Sequence, residues 1–240
     1  MQYYLTNEQL LRVENGLKAA IAIPFIDDIE DYVVEAILEY TKQIDGVDPF
    51  CHIRSKRLYD VVDKKAKTGY SVKSLKWSFR DGVETEFELV ILRADIFKKA
   101  AMLGFEHLDI NSDPQILGKA LLEHWRIKVE GDASFQNVED KRIFVLLKSK
   151  NNKKFAFFEE DIKLYQPNEI TWKWTDETKT GLQGIRNEDQ MCIYRWYPNQ
   201  KQFFERFRLP RNIQKVEISP IRLSKEKAVD ILLPYLAEHQ

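Results

Sequence analysis

The apolar positions fall first at helical spacing. Across residues 6–22, Leu10, Leu11, Val13, Leu17 and Ile21 recur roughly every third or fourth position behind a Thr6-Asn7 capping signal, and Pro24 ends the run. Residues 27–42 predict a second helix, with Ile26, Ile29, Val33, Ala36, Ile37 and Tyr40 on one stripe and Asp28, Asp31, Glu35 and Glu39 mostly off it; Gly46 and Pro49 close it. The period then shortens. Residues 58–62 are β-branched and aromatic, 64–69 form a polar turn and 70–79 alternate, which predicts a hairpin, and 84–93 predicts a third strand beside it. Helices follow at 94–103 and at 113–125, the latter opened by Asp113-Pro114. Helix, helix, three strands, helix, helix is an α+β order. Beyond residue 129 the texture turns to short strands, at 142–147, 155–158, 170–174, 191–196, 203–207 and 216–218, with a closing helix at 224–236. The expected organisation is therefore residues 1–130 as one part and a β-rich 131–240 as another, the two belonging to one domain or to two.

Composition narrows the class of protein. With 44% hydrophobic, 31% charged and 12% aromatic residues in a chain of 240, a packed globular fold is expected. No apolar run approaches the roughly 18 residues of a membrane span, and the first residues lack the basic and apolar stretches of a secretion signal. Cys51 and Cys192 stand far apart without a CxxC pair, which points to the reducing cytoplasm and gives no support to a zinc site or disulfide framework. His52, His107, His124 and His239 are scattered, no glycines assemble into a phosphate-binding GxxxxGK loop, and no G-x-S-x-G elbow occurs. Histidine-based hydrolysis, a nucleotide cofactor and acyl transfer are thus all unsupported.

Total charge is balanced, at 37 basic and 38 acidic side chains. Locally it is not: residues 54–80 hold nine basic residues against Asp60 and Asp63, a net charge of +7 and a candidate phosphate-facing surface. The same hairpin carries an acid on its first strand and Ser71-Val72-Lys73 on its second. Alternation sends Ser71 and Lys73 to one face, where an aspartate of the neighbouring strand can meet Lys73. If opposed residues sum to 133, Asp60 faces Lys73; if to 134, Val61 faces Lys73 and Asp63 faces Ser71. A carboxylate and a lysine converging beside a basic surface suit phosphodiester cleavage. The carboxylate holds a divalent ion, magnesium by the hardness of the ligands, and the lysine orients or deprotonates the water and stabilises the transition state.

A helix with a glutamate, the strand Tyr59-Asp60-Val61-Val62, a turn, and the strand Tyr70-Ser71-Val72-Lys73-Ser74 resemble the PD-(D/E)xK nuclease superfamily, which includes many type II restriction endonucleases. The resemblance covers roughly residues 25–100. It implies a restriction-endonuclease-like mixed sheet flanked by helices, Asp60 as metal ligand with Asp63 in reserve, and Lys73 as catalytic lysine. It also implies an acid on the preceding helix, Glu30 or else Glu35. The expected activity is magnesium-dependent, site-specific cutting of double-stranded DNA by a homodimer. Two departures stand out. No proline precedes Asp60, and Ser71 occupies the place of a second carboxylate, which Glu84, Glu86 or Glu88 of the next strand would then supply. An inactive DNA- or protein-binding module of the same fold, or a structure-specific repair or phage nuclease, are the alternatives. Lys76, Trp77 and Arg80 are candidate DNA contacts just beyond the lysine strand. In the second half, residues 178–187 form a predicted loop whose Gln183, Arg186 and Asn187 are of the types that read base edges.

Overall fold

A computed structural model describes residues 2–25, 28–45, 57–78 and 86–238. The chain divides into two units that interleave in sequence. The first comprises Met1–Asp81, Gln136–Asp161 and Asn212–Gln240, the second Gly82–Phe135 and Ile162–Arg211. This replaces the expected boundary near residue 130, and strand pairing is the reason: the strand after residue 136 hydrogen-bonds to the predicted hairpin, so the chain returns to its first unit.

The first unit opens with β1 (Gln2–Tyr3) and α1 (Asn7–Ala22). Thr6 caps α1 as expected: its hydroxyl accepts from the Gln9 N–H at 3.2 Å, and the Gln9 side chain accepts from the Thr6 N–H at 3.0 Å. The second helix, α2 (Asp31–Lys42), starts four residues later than its apolar stripe predicts, with Glu30 as N-cap. The hairpin strands are β2 (Val61–Asp63) and β3 (Thr68–Lys76). Next in this unit come β5 (Asp140–Lys148), β6 (Lys154–Asp161), β11 (Gln214–Glu217) and α4 (Lys225–Glu238). The sheet runs β1-β6-β5-β3-β2, and β11 also pairs with β6. It is mixed: β3 and β5 are parallel, the other pairs antiparallel. A parallel pair needs a long connection, and here residues 77–139 supply it. The central strand β5 holds Ile143–Leu147 as an unbroken apolar run because both faces of a central strand are buried. On one face Tyr70, Val72, Phe144, Leu146, Phe155 and Phe157 pack with Val13, Leu17, Val33 and Leu38 of α1 and α2.

The second unit holds β4 (Glu86–Arg93), α3 (Pro114–Gln136, whose last residue belongs to the first unit), β7 (Ile170–Trp174), β8 (Leu182–Arg186), β9 (Cys192–Tyr197) and β10 (Gln202–Arg208). Its antiparallel sheet runs β4-β10-β9-β8-β7. The expected third strand of the hairpin is therefore β4 of a different sheet, paired with β10 at the far end of the sequence. The helix expected at 94–103 is a set of turns ending in a short 3-10 helix, Ala101–Leu103. The predicted loop 178–187 contains β8, concealed in the sequence by Gly184 within it and Gly181 just before it. Gly184 is there because a Cβ would come within 2.9 Å of the Trp172 ring on β7, and Gly118 of α3 clears the same ring, where a Cβ would approach to 2.2 Å. Trp172 in turn stacks on Tyr194 at 6.2 Å between ring centroids, with Phe203 completing the aromatic core. An α+β fold of two multi-stranded sheets flanked by helices results.

Candidate active site on the hairpin

The hairpin register pairs Val61 with Tyr70, Val62 with Gly69 and Asp63 with Thr68. Opposed residues thus sum to 131, not 133 or 134. Turn chemistry sets this. Asp63 accepts from the N–H groups of Lys65 at 2.9 Å and Ala66 at 3.0 Å, Lys67 takes a left-handed φ of 52°, and four residues close the loop. Gly69, expected in the turn, lies inside β3, where a Cβ would come within 2.7 Å of the Tyr59 ring and 2.8 Å of Val138.

This register makes the choice between the aspartates. Asp63 is committed to the turn, and Asp60 is the one that meets the lysine. The Asp60 carboxylate accepts the Val72 N–H at 2.8 Å, taking the acceptor position that a continued ladder would have filled with a carbonyl, while the Asp60 N–H donates to the Tyr70 carbonyl at 2.9 Å. Lys73 Nζ lies 4.0 Å from the same carboxylate oxygen, and both side chains are about a quarter exposed, 26% for Asp60 and 27% for Lys73. The ammonium also donates to the Val72 carbonyl at 3.1 Å. Two oxygens, one carboxylate and one carbonyl, thus converge on a single cation. Ser71 precedes Val72 and is buried, at 2% exposure.

Glu30 is not brought to this pair. It is the exposed N-cap of α2, without a side-chain capping bond, and α2 packs on the sheet face that carries Tyr70 and Val72, whereas Ser71 and Lys73 project from the other. The start of α2 instead grips the even-numbered side of β3. Asp31 accepts from the Ser74 N–H at 3.0 Å and from its hydroxyl at 2.6 Å. Asp28 meets Lys76 at 3.0 Å and the buried Lys148 at 3.2 Å. Burial opposes the charge on Asp28, but hydrogen bonds from Lys76, Lys148 and the Ile29 N–H outweigh it and hold its carboxyl at about 2. Glu35 lies in α2, the helix packed on the face that carries Tyr70 and Val72. Glu86 is bound to Arg206 at 2.9 Å and Glu88 to Arg195 at 3.0 Å within the second unit, so each has a local cation to neutralise. Glu84 and Arg80 lie outside the described residues.

Of the candidate base-reading residues, Arg186 and Asn187 are hydrogen-bonded within the second unit. Arg186 forms a two-pronged pair with Asp189 at 3.0 and 2.5 Å and donates to the Tyr165 hydroxyl at 2.8 Å. Asn187 accepts from the Thr171 hydroxyl at 2.7 Å and donates to the Asn168 carbonyl at 2.9 Å. Gln183 stands on β8 opposite Lys173 and Arg195. These residues build the β7–β8 end of the sheet.

Lys76 and Trp77 have basic neighbours that local sequence pattern does not reveal. Lys76 is paired with Lys148 across β3 and β5, and the Trp77 N–H donates to the Lys148 carbonyl at 2.8 Å. The turn that follows β5 carries exposed Lys150, Lys153 and Lys154, held by the Ser149 hydroxyl, which accepts from the N–H groups of Lys153 at 3.1 Å and Lys154 at 2.9 Å. Residues 141–158 contain six basic residues and no acid. That asymmetry was countable in the sequence, although its position beside Lys76 required the parallel pairing.

Among the described residues no three His, Cys, Asp or Glu side chains gather as a metal site. The donors present suit magnesium only in the sparse manner that ion tolerates, with one carboxylate from the protein and the rest of the shell from water and substrate phosphate. No helix among the described residues is long and apolar enough to cross a membrane. Comparison with protein-family models, curated proteins and solved structures gives no match.

Proposed function

We propose that this chain is a phosphodiester hydrolase acting on double-stranded DNA, a magnesium-dependent endonuclease of the PD-(D/E)xK type with Asp60 and Lys73 as its catalytic pair. The observation that carries this reading is the meeting of Asp60 and Lys73 at 4.0 Å on one face of the hairpin. A mixed sheet flanked by helices, as the resemblance implies, and the basic strip from Lys76 to Lys154 support it.

Asp60 would hold a magnesium ion, whose chemistry there would be to neutralise phosphate charge and acidify a bound water molecule. Asp60 is held for that task by the Val72 N–H, which fixes the direction of its carboxylate. The Lys73 ammonium stands where charge grows on the phosphoryl oxygens as a water oxygen bonds to phosphorus and the P–O ester bond breaks, the water's proton passing through solvent to the departing oxygen. Its resting contacts, the Asp60 carboxylate and the Val72 carbonyl, orient it before substrate arrives. Lys150, Lys153 and Lys154 supply sequence-independent attraction to the DNA backbone.

Incubation of the chain with unmethylated phage DNA, with and without magnesium, tests the reading: discrete magnesium-dependent fragments are expected. The second reading, a binding module, draws on a specific observation, the buried Ser71 in the place of a second carboxylate. Intact DNA that is nevertheless retarded on a gel would favour it.

A further inference from the structure

The second unit holds a pocket of about 310 Å³ against α3, at the small end of the roughly 300–1,000 Å³ usual for small-molecule sites. Buried Leu103, Leu122 and Trp125 form its floor. Phe105 and Tyr165, each only partly buried, line it nearer the surface. Three aromatic side chains in so small a cavity suit a flat ligand, because stiff rings stack with little further loss of freedom.

Two of the walls are fixed before any ligand arrives. The 3-10 helix Ala101–Leu103 ends at Gly104 with a left-handed φ of 85°. The Gly104 N–H donates to the Ala101 carbonyl at 3.1 Å and the Phe105 N–H to the Ala100 carbonyl at 3.0 Å, and this turn sets Phe105 at the pocket. The Tyr165 hydroxyl accepts from Arg186 at 2.8 Å, and its ring stands edge-on to Tyr194 at 5.9 Å between centroids. The Arg186–Asp189 pair thus anchors a pocket wall. The charged side of the pocket is a stripe of α3, Lys119, Glu123 and Arg126, at the four- and three-residue spacing that shares one helix face. Arg126 donates to both Glu123 oxygens, at 3.0 and 2.6 Å, whereas Lys119 is exposed and has no acidic partner among the described residues. One positive charge is left in excess at the rim.

We propose that this pocket binds a nucleoside monophosphate unit, with its flat base against Phe105, Trp125 and Tyr165 and its phosphate at Lys119 and Arg126. The uncompensated ammonium calls for an anion, and lysine and arginine together are ordinary phosphate partners. Glu123 selects the kind of ring. Its carboxylate keeps lone pairs beyond those given to Arg126, and beside an aromatic floor it accepts from the amino group of a base edge, as carboxylates do with cytosine. Such a unit reaches the pocket as a free mononucleotide or as one nucleotide turned out of a DNA strand, and the chemistry recognised is the same. The inference rests on the pocket and not on cleavage at Asp60, so a chain that binds nucleotide and cuts nothing leaves it standing.

The test is tryptophan fluorescence of the full chain in a chelator, since a base stacked on Trp125 quenches its emission. The chain is titrated with each deoxynucleoside 5′-monophosphate, with the parent nucleosides, and with two short duplexes, one fully paired and one carrying a single unpaired base. Saturable quenching by a monophosphate is expected for a free ligand, and quenching by the unpaired duplex beyond the paired one for a nucleotide of the strand. In either case Trp125→Phe removes the signal, and Lys119→Glu weakens the binding about tenfold or more. Lys173→Glu, at an exposed lysine of β7, leaves it unchanged. Phe105→Ala, at a partly buried position, weakens it as well and serves should Trp125→Phe fail to fold. The proposal is overturned if no monophosphate quenches and the two duplexes behave alike, or if nucleosides bind as well as monophosphates. Quenching that survives Trp125→Phe, or binding that Lys119→Glu and Lys173→Glu affect equally, overturns it too.

Discussion

At the scale of residues, Asp60, Ser71 and Lys73 carry the proposed chemistry. Asp60 to Asn keeps an acceptor for the Val72 N–H while removing the charge, so it is expected to fold and to lose cleavage by about a hundredfold or more, which single-turnover rates measure. Ser71 allows a complementary test. A carboxylate introduced by Ser71→Asp is buried close to Asp60 and repels it unless a cation intervenes. The variant is expected to melt below wild type in a chelator and to recover on adding magnesium; a melting temperature indifferent to magnesium would count against an ion at this position. Gly69 carries the clearest steric prediction. With a Cβ only 2.7 Å from the Tyr59 ring, Gly69→Ala should cost about 1–3 kcal/mol in denaturant unfolding. The acid, the lysine and their shared hairpin were legible in the sequence. The register was not, because it depends on Asp63 folding back over two turn N–H groups and on a left-handed Lys67, neither of which hydrophobic alternation reports.

At the scale of elements, two polar clusters give stability a pH signature. In the second unit His124 of α3 is buried, and burial first, with Lys99 and Lys128 nearby, pushes it down to about 4. Its Nε2 lies 2.9 Å from the Lys99 ammonium, and Nδ1 has no hydrogen-bond partner among the described residues. A depressed histidine contributes fully above its unfolded value near 6.5, and that contribution falls away as pH drops from there through about 4, by at most roughly 3 kcal/mol. Asp28, held at about 2 in the first unit, keeps its contribution above about 4 and loses it as pH falls through 2. Urea unfolding at pH 7, 5 and 3 should therefore show stability falling in two steps. His124→Gln flattens the upper step and Asp28→Asn the lower. Several elements themselves were readable: the Thr6 cap, the β7 run and the closing helix follow from local pattern. The pairing of β4 with β10 was not, since nothing near residue 90 announces a partner more than a hundred residues away.

At the scale of the whole molecule, the balanced total charge hides an uneven distribution. Lys150, Lys153 and Lys154 extend the basic edge at Lys76 across the end of the first sheet. Changing these three lysines to glutamine should weaken DNA binding at low salt and lower the slope of log affinity against log salt by about 2–3, with little dependence on sequence. An unchanged slope would place the DNA elsewhere. The interleaving of the two units explains why a boundary near residue 130 looked natural: the change to short strands there is real, yet the first of those strands, β5, completes the earlier sheet through its parallel contact with β3. Whether Asp60 and Lys73 cut phosphodiesters is decided by comparing wild type and Lys73→Ala on one duplex, with cleavage followed in magnesium and binding in a chelator. Cleavage by wild type alone, with equal binding by both, is the predicted result. Equal cleavage by the two proteins would contradict it.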